Sequence, residues 1–194
     1  MKKSKAKVYI DAANVFFTQK KLGWLIDWMK FKDYLKKNFQ ILEIRYYCAY
    51  RGDDEKEEKF FKFLESLNFV LVKKPLKKIK AFFVDQLGKV KTEIIYKGNV
   101  DVEISRDSLL DKADYRYLIL VSGDSDLATL KKDWQKMGRE LVVFSSRKTL
   151  SWELKLVADK IYYLEHIKKE IFRKSWGLTN EKNYGKNKTS NRTR

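Results

Sequence analysis

Aspartates follow apolar segments at several places that a sheet would bring together. Asp11 ends the apolar run at 8–10, Asp124 and Asp126 come just after the run at 117–121, and Asp101 opens a predicted helix. Ligands of open α/β sheets gather beyond the carboxyl ends of the strands, so we expect these carboxylates at one edge. Clustered carboxylates repel unless a cation neutralises them, and an oxygen-only set suits Mg²⁺ or Mn²⁺. The pattern predicts a metal site able to hydrolyse phosphodiesters.

A simpler interpretation stays open for each aspartate taken alone. Asp11 is suited to a turn with Asn14, because Asp and Asn side chains bond nearby backbone groups. Asp101, Asp124 and Asp126 are each suited to capping the helix that follows. The metal-site hypothesis therefore depends on the aspartates meeting in space.

Alternating hydrophobic patterns supply the elements that would position these residues. Strands are predicted at 7–11, 41–50, 69–72, 79–84, 90–96, 117–121, 140–144 and 161–164. Helices are predicted at 15–39 with a break near Gly23, and at 54–67, 100–110, 127–137, 150–157 and 167–176. This order implies a mostly parallel sheet with helices on both faces. The pair at 79–84 and 90–96 flanks a turn signal at 85–88 and indicates a β-hairpin, either inserted or at an antiparallel edge of the sheet.

Composition narrows the function classes. The 194 residues contain one cysteine and one histidine, which excludes an internal disulfide, a cysteine-cluster zinc site and a site built on several histidines. The apolar run at 117–121 is too short to span a bilayer, and the one at 8–10 is too short for a signal peptide, so we expect a cytoplasmic protein without a membrane partner. The net charge of +17 favours a nucleic-acid partner.

A basic segment lies between the third strand and the hairpin. Residues 73–80 contain five lysines, and Phe82, Phe83 and Tyr96 follow on the hairpin. Cations beside aromatic rings suit single-stranded RNA, through phosphate contacts and base stacking. The predicted RNA-binding residues are Lys74, Lys77, Lys78, Lys80, Lys97 and Arg147. Protection of a sheet edge by lysines is the alternative, and exposed aromatic residues also permit a homodimer.

The segment 177–194 differs in composition from the rest of the chain. It combines lysines and arginines with Asn, Ser, Thr and Gly, and its acidic content is a single glutamate, Glu181. We predict a domain over residues 1–176 followed by a disordered basic tail over 177–194.

Three motifs, in this order, resemble the NYN domain, the LabA-like branch of the PIN-like nuclease superfamily. They are the segments 9–14 (YIDAAN), 97–102 (KGNVDV) with Asp107 beyond it, and 121–126 (VSGDSD). The resemblance covers roughly residues 7–164. It implies a Rossmann-like, PIN-type three-layer α/β/α fold and a Mg²⁺- or Mn²⁺-dependent ribonuclease, which we expect to be an endonuclease.

The resemblance also assigns roles to individual residues. It makes Asp11, Asp101, Asp124 and Asp126 the catalytic metal pocket, and gives Asn14 a part in holding water or substrate. Ser122 and Asp107 would support the pocket without binding the metal. Two departures from the family pattern are Ala12-Ala13, where many relatives have Gly or Phe, and the inserted Asn99, which shifts Lys97 relative to the site.

Two other functions remain as alternatives. A non-catalytic RNA-binding adaptor would keep the PIN-like fold and act through its basic surface, and it would still bind RNA in EDTA. A phosphoacceptor or phosphatase would use Asp11 as nucleophile, but Ala13 occupies the place where an acid would be expected two residues later. The lack of a Gly-rich loop after the first strand argues against a dinucleotide enzyme.

Overall fold

A computed structural model describes residues 3–52, 54–84 and 90–173. Its strands are β1 (Lys5–Asp11), β2 (Gln40–Tyr50), β3 (Val70–Pro75), β4 (Lys77–Val84), β5 (Val90–Lys97), β6 (Tyr117–Val121), β7 (Glu140–Ser145) and β8 (Lys160–Tyr163). Its α-helices are α1 (Ala12–Leu22), α2 (Trp28–Asn38), α3 (Glu55–Ser66), α4 (Asp101–Leu110), α5 (Lys131–Lys136), α6 (Trp152–Val157) and α7 (Lys168–Ile171). A 3₁₀ helix (Asp126–Leu130) precedes α5.

Among these residues, six strands form one parallel sheet in the order β3-β2-β1-β6-β7-β8. From β1 the chain continues outward to β2 and β3, and it then returns to β6 on the other side of β1. The strand order therefore reverses between β1 and β6, which is where open α/β sheets bind ligands. The predicted parallel α/β fold is confirmed.

The central strands are apolar on both faces because helices cover both sides of the sheet. Residues 118–121 of β6 are completely buried. Ile119 and Val121 belong to one core, whereas Leu118 and Leu120 belong to the other. A strand enclosed in this way has a continuous apolar sequence rather than an alternating one.

The two cores separate the helices into two layers. One core includes Val15 of α1, Phe31 of α2 and Leu64 of α3. The other includes Ile104 of α4 and Trp134 of α5. Helices that follow β1 and β6 thus lie on opposite faces, which leaves a crevice at the carboxyl ends of these two strands.

The inserted hairpin is confirmed as a separate antiparallel sheet of β4 and β5. The predicted break near Gly23 is also present, because α1 ends at Leu22 and α2 begins at Trp28. The predicted turn at 85–88 and the tail at 177–194 lie outside the described residues, as does the end of the last predicted helix. No helix of the described part of the chain has the length and apolar character needed to cross a bilayer.

Candidate metal centre

Three carboxylates from distant parts of the chain meet in the crevice between β1 and β6. One carboxylate oxygen each of Asp11, Asp101 and Asp124 lie within 4.8 Å of one another. Asp11 is the last residue of β1, Asp101 is the first of α4, and Asp124 lies in the loop after β6. The structure thus brings these three aspartates together at one edge of the sheet.

Asp11 is held by hydrogen bonds at both oxygens. It is 4% exposed, and its Oδ1 accepts the backbone N–H of Asn14 at 3.0 Å as the N-cap of α1. Its Oδ2 accepts the Ser122 hydroxyl at 3.2 Å, and the same hydroxyl oxygen accepts the backbone N–H of Asp124 at 3.2 Å. The turn expected between Asp11 and Asn14 therefore exists alongside the carboxylate cluster, and Ser122 links two of its members.

The loop carrying Asp124 is fixed between α1 and the segment after β7. The backbone N–H of Gly123 donates to Oδ1 of Asn14 at 2.9 Å, and the Gly123 carbonyl accepts the N–H of Ser151 at 2.9 Å. A Cβ at Gly123 would lie 2.3 Å from the carbonyl oxygen of Thr149. Because a backbone atom occupies that space, only glycine allows the loop to pack this closely.

The position of Asp101 depends on a similarly close contact, which Gly98 makes at the base of the hairpin. A Cβ on Gly98 would lie 2.3 Å from the Ala49 Cβ and 2.6 Å from Cδ2 of Leu76. The Lys74 ammonium donates to the carbonyl of Asn99 at 2.8 Å. These contacts anchor the chain against the ends of β2 and β3 just before α4 begins.

Burial and mutual repulsion raise the pKa values of the clustered acids. Burial raises the pKa of Asp11, and the charges of Asp101 and Asp124 add to this, against the opposing hydrogen bonds from Asn14 and Ser122. Burial also raises the pKa of Asp101, to which Asp124 and Asp126 contribute as negative neighbours. In the described part of the chain, none of the three clustered aspartates forms an ion pair with a lysine or arginine.

This donor set fits a hard divalent cation. The three groups supply only carboxylate oxygens, which converge within 4.8 Å of one another. Mg²⁺ and Mn²⁺ prefer such oxygen ligands, and water completes their coordination. A bound cation would remove the repulsion that raises the pKa values of Asp11 and Asp101.

Asp126 does not belong to the group within 4.8 Å. It is exposed at the start of the 3₁₀ helix, and its backbone N–H donates to Oδ1 of Asp124 at 3.0 Å. The structure thus brings together three of the four predicted ligands and places the fourth at the rim. Direct ligation by Asp126 stays a prediction.

Asn14 and Asp107 occupy different positions relative to the cluster. The side-chain oxygen of Asn14 is engaged with Gly123, so this residue fastens the Asp124 loop to α1. The carboxylate of Asp107 accepts hydrogen bonds from Arg45 at 3.0 Å and Tyr47 at 3.2 Å. It also pairs with Arg106 at 2.7 Å, and none of these partners belongs to the carboxylate cluster. The predicted role of Asn14 toward water or substrate is untested, as is the support expected from Asp107.

The predicted RNA-binding cations fall into separate groups. The ammonium of Lys74 forms an ion pair at 2.9 Å with the carboxylate of Glu103 on α4. The Arg147 guanidinium lies 4.9 Å from the centre of the Tyr163 ring and 3.1 Å from Nε2 of His166. The four predicted RNA-binding lysines on the hairpin are paired as Lys77 with Lys97, Lys78 with Tyr96, and Lys80 with Ile94.

Strand pairing divides these hairpin lysines between the two faces. Directly opposed residues share a face, and successive residues alternate. Lys77 and Lys97 therefore lie on one face, and Lys78 and Lys80 lie on the other. Reasoning from the sequence treated the lysines as one cluster and did not single out Ile94 or Glu103. The period-two alternation of β-strands, applied to 90–97, could have placed Ile94 on the same face as Tyr96. No local pattern indicated the contact between Glu103 and Lys74.

Known proteins share both sequence and fold with this chain. The family model of the NYN domain matches residues 5–165. The chain is 26% identical over 169 residues to the low amplitude and bright protein LabA of Synechococcus elongatus, covering 87% of this chain and 88% of that protein. A crystal structure of a protein of unknown function from Vibrio parahaemolyticus is similar with a TM-score of 0.69 and 22% identity, covering 88% of this chain and 97% of the other.

The family match extends from β1 to the end of β8 and includes all three clustered aspartates. The likeness to the Vibrio structure supports the fold. The NYN domain is a branch of the PIN-like nuclease superfamily, as the three sequence motifs indicated. Since the family model matches most of the length of this chain, the chain belongs to the NYN domain family.

Proposed function

We propose that this protein is a Mg²⁺- or Mn²⁺-dependent endoribonuclease. The observation that carries the proposal is the convergence of Asp11, Asp101 and Asp124 within 4.8 Å at the point where the strand order reverses. Membership in the NYN family supports a nuclease, and the net charge of +17 supports a polyanionic substrate.

The three aspartates would hold the metal, and Asp126 would complete the acidic rim. A bound Mg²⁺ or Mn²⁺ supplies orientation of the scissile phosphate, a lower pKa for an attacking water, and stabilisation of the departing oxygen. The protein's own contribution is preorganisation. Ser122 and the N–H of Asn14 hold the Asp11 carboxylate in place, and Gly123 lets the Asp124 loop approach it.

The chemistry of the site also accounts for the lack of a histidine base. The sole histidine, His166, follows β8, and its Nε2 lies 3.1 Å from the guanidinium of Arg147. Metal-assisted hydrolysis needs no imidazole, because a cation held by the carboxylates would itself lower the pKa of an attacking water.

Cleavage of end-labelled single-stranded RNA and DNA tests the proposal. We expect internal RNA cleavage with Mn²⁺ or Mg²⁺, none in EDTA, and little cleavage of DNA. Asp124→Asn should slow cleavage at least about 100-fold, because a metal contributes several kcal/mol to the transition state. The matched control is Asp133→Asn, which removes a carboxylate paired with Lys136 on α5 and should leave the rate unchanged.

Wild-type cleavage by Asp124→Asn would refute the assignment of the site. Cleavage of DNA as fast as RNA would refute the ribonuclease specificity. Tight RNA binding in EDTA with no cleavage under any metal condition would identify the protein as a non-catalytic adaptor.

A further inference from the structure

We propose that one face of the β4–β5 hairpin binds an unpaired strand of RNA and leads it toward the carboxylate cluster. The identity of the nucleic acid as RNA rests on the proposed function. We call this surface the hairpin face, and it consists of Lys78, Lys80, Phe82, Thr92, Ile94 and Tyr96.

Strand register places these side chains together. Lys78 opposes Tyr96, Lys80 opposes Ile94, and Phe82 opposes Thr92. Because opposed residues in an antiparallel pair project to the same side, the six side chains form a two-column surface. Each of the two lysines therefore lies beside an apolar side chain of the neighbouring strand.

The apolar side chains of the hairpin face are exposed to solvent. The exposed fractions are 69% for Phe82, 60% for Ile94 and 37% for Tyr96. Single exposed apolar residues are ordinary, but an exposed patch of them points to an interaction surface. The hairpin forms its own sheet apart from the six-stranded one, so this surface is available to a partner.

The positive charge of the hairpin face favours a nucleic acid as its binding partner. Lys78 lies opposite Tyr96, and Lys80 lies between Lys78 and Phe82 on the same face of β4. Both lysines are exposed. Docking two copies of the chain through this face would oppose like charges and bring the lysines of both copies out of water, which is unfavourable. Phosphates neutralise the lysines while unpaired bases stack on Phe82 and Tyr96, so single-stranded nucleic acid satisfies both features.

The base of the hairpin face is close in sequence to the carboxylate cluster. Asp101 follows Tyr96 by five residues, which span at most about 18 Å. The Arg51 guanidinium lies 4.7 Å from the centre of the Tyr96 ring, and Arg51 directly follows β2, the neighbour of β1 in the sheet. The aromatic base of the hairpin is thus joined to the same sheet edge that carries Asp11, and Phe82 lies farther out along the same face.

Fluorescence anisotropy with labelled RNA tests this inference on the full chain in EDTA, where no cleavage occurs. The probes are a single-stranded RNA and the duplex of the same sequence. Phe82→Ala should weaken single-strand binding about 5- to 150-fold, as expected for loss of one stacking platform, and should change duplex binding little. Phe82→Leu, which keeps apolar bulk without a ring, should weaken binding to a similar extent and serves if the alanine variant misfolds.

The two faces of the hairpin provide a matched pair of charge variants. Lys78→Ala with Lys80→Ala should lower the slope of log affinity against log salt by about 1.4, because each single-strand phosphate contact contributes about 0.7. Lys77→Ala with Lys97→Ala removes the same charge from the opposite face and should leave the slope near that of the wild type. Equal effects of both pairs would show a diffuse electrostatic attraction and would overturn the proposal.

Two further results would overturn it. One is unchanged single-strand affinity in both Phe82 variants. The other is a wild-type dimer in sedimentation that Phe82→Ala converts to a monomer, which would assign the hairpin face to a second copy of the chain. The anisotropy assay measures binding without metal, so it can refute RNA binding by the hairpin face without refuting the nuclease assignment. The cleavage assay with Asp124→Asn tests the nuclease assignment separately.

Discussion

Replacing Asp101 by asparagine should stabilise the metal-free protein while removing its response to metal. The variant deletes one of three negative charges whose oxygens lie within 4.8 Å of one another. At that separation a pair of like charges repels by about 0.9 kcal/mol in a water-like medium and about 3.5 kcal/mol at an effective dielectric constant of 20. Asp101 is only half-buried, so the lower figure applies, and relief of two pairs gives about 1–2 kcal/mol.

Thermal unfolding in EDTA and in Mn²⁺ measures both effects. A gain of about 1–2 kcal/mol corresponds to a Tm about 2–8 °C higher than that of the wild type in EDTA. Mn²⁺ at about 100 times its Kd should stabilise the wild type by about 2.7 kcal/mol. The variant should lose most of that gain, so the order of the two Tm values should reverse between EDTA and Mn²⁺.

The control is Asp133→Asn, whose carboxylate pairs with Lys136 outside the cluster. It should show no reversal, because it neither repels the clustered acids nor contributes to the site. A Tm of Asp101→Asn below the wild type in EDTA, with native circular dichroism, would refute the reasoning from repulsion. An undiminished Mn²⁺ response in that variant would refute the assignment of Asp101 to the metal site.

Further predictions concern the supports of the site and the fold. Ser122→Ala should weaken Mn²⁺ binding about 10- to 100-fold in calorimetry, as for other residues that orient metal ligands. Ser145→Ala, which removes a buried hydroxyl that has no hydrogen-bond partner among the described residues, should not weaken it. Gly98→Ala should cost about 1–3 kcal/mol in urea unfolding through overpacking, and adding Ala49→Gly, which removes the opposing Cβ, should restore part of that loss. Burial raises the pKa of Asp111, but the hydrogen bond from Lys7 and that from the backbone of Ala113 outweigh it, so the pKa lies below its ordinary value. Asp111 therefore stabilises the fold above the unfolded carboxyl pKa and loses this contribution as pH falls. Asp111→Asn should be less stable than the wild type by about 1.5–3 kcal/mol at pH 7, with the gap closing under acid unfolding conditions below about pH 4.

Local sequence was sufficient to predict most of the elements and their class. The run at 117–121 is apolar at every position because both of its faces are covered, and such runs indicate a buried parallel strand. Asp11 could be placed at the end of β1 because a charge after an apolar run marks where the strand leaves the core. Local patterns also predicted the hairpin, since its two strands flank a short turn signal, and the structure shows that it forms a separate sheet.

The precise membership of the site was not predictable in this way. Asp124 and Asp126 are close in sequence and are the same residue type, yet only Asp124 joins the cluster. The backbone of Gly123, directly before Asp124, packs closely against the carbonyl of Thr149. That contact joins residues far apart along the chain, so no local pattern reports it.

The sequence by itself determined that aspartates would stand at strand ends and that lysines and aromatic residues would fill the hairpin, because both follow from patterns within a few residues. The tertiary structure decided which carboxylates meet, that Lys74 pairs with Glu103, and which hairpin lysines share a face with Tyr96. The physical reason is that these outcomes depend on strand register and close packing between segments distant in sequence, where a shift of one residue reverses the direction of every side chain.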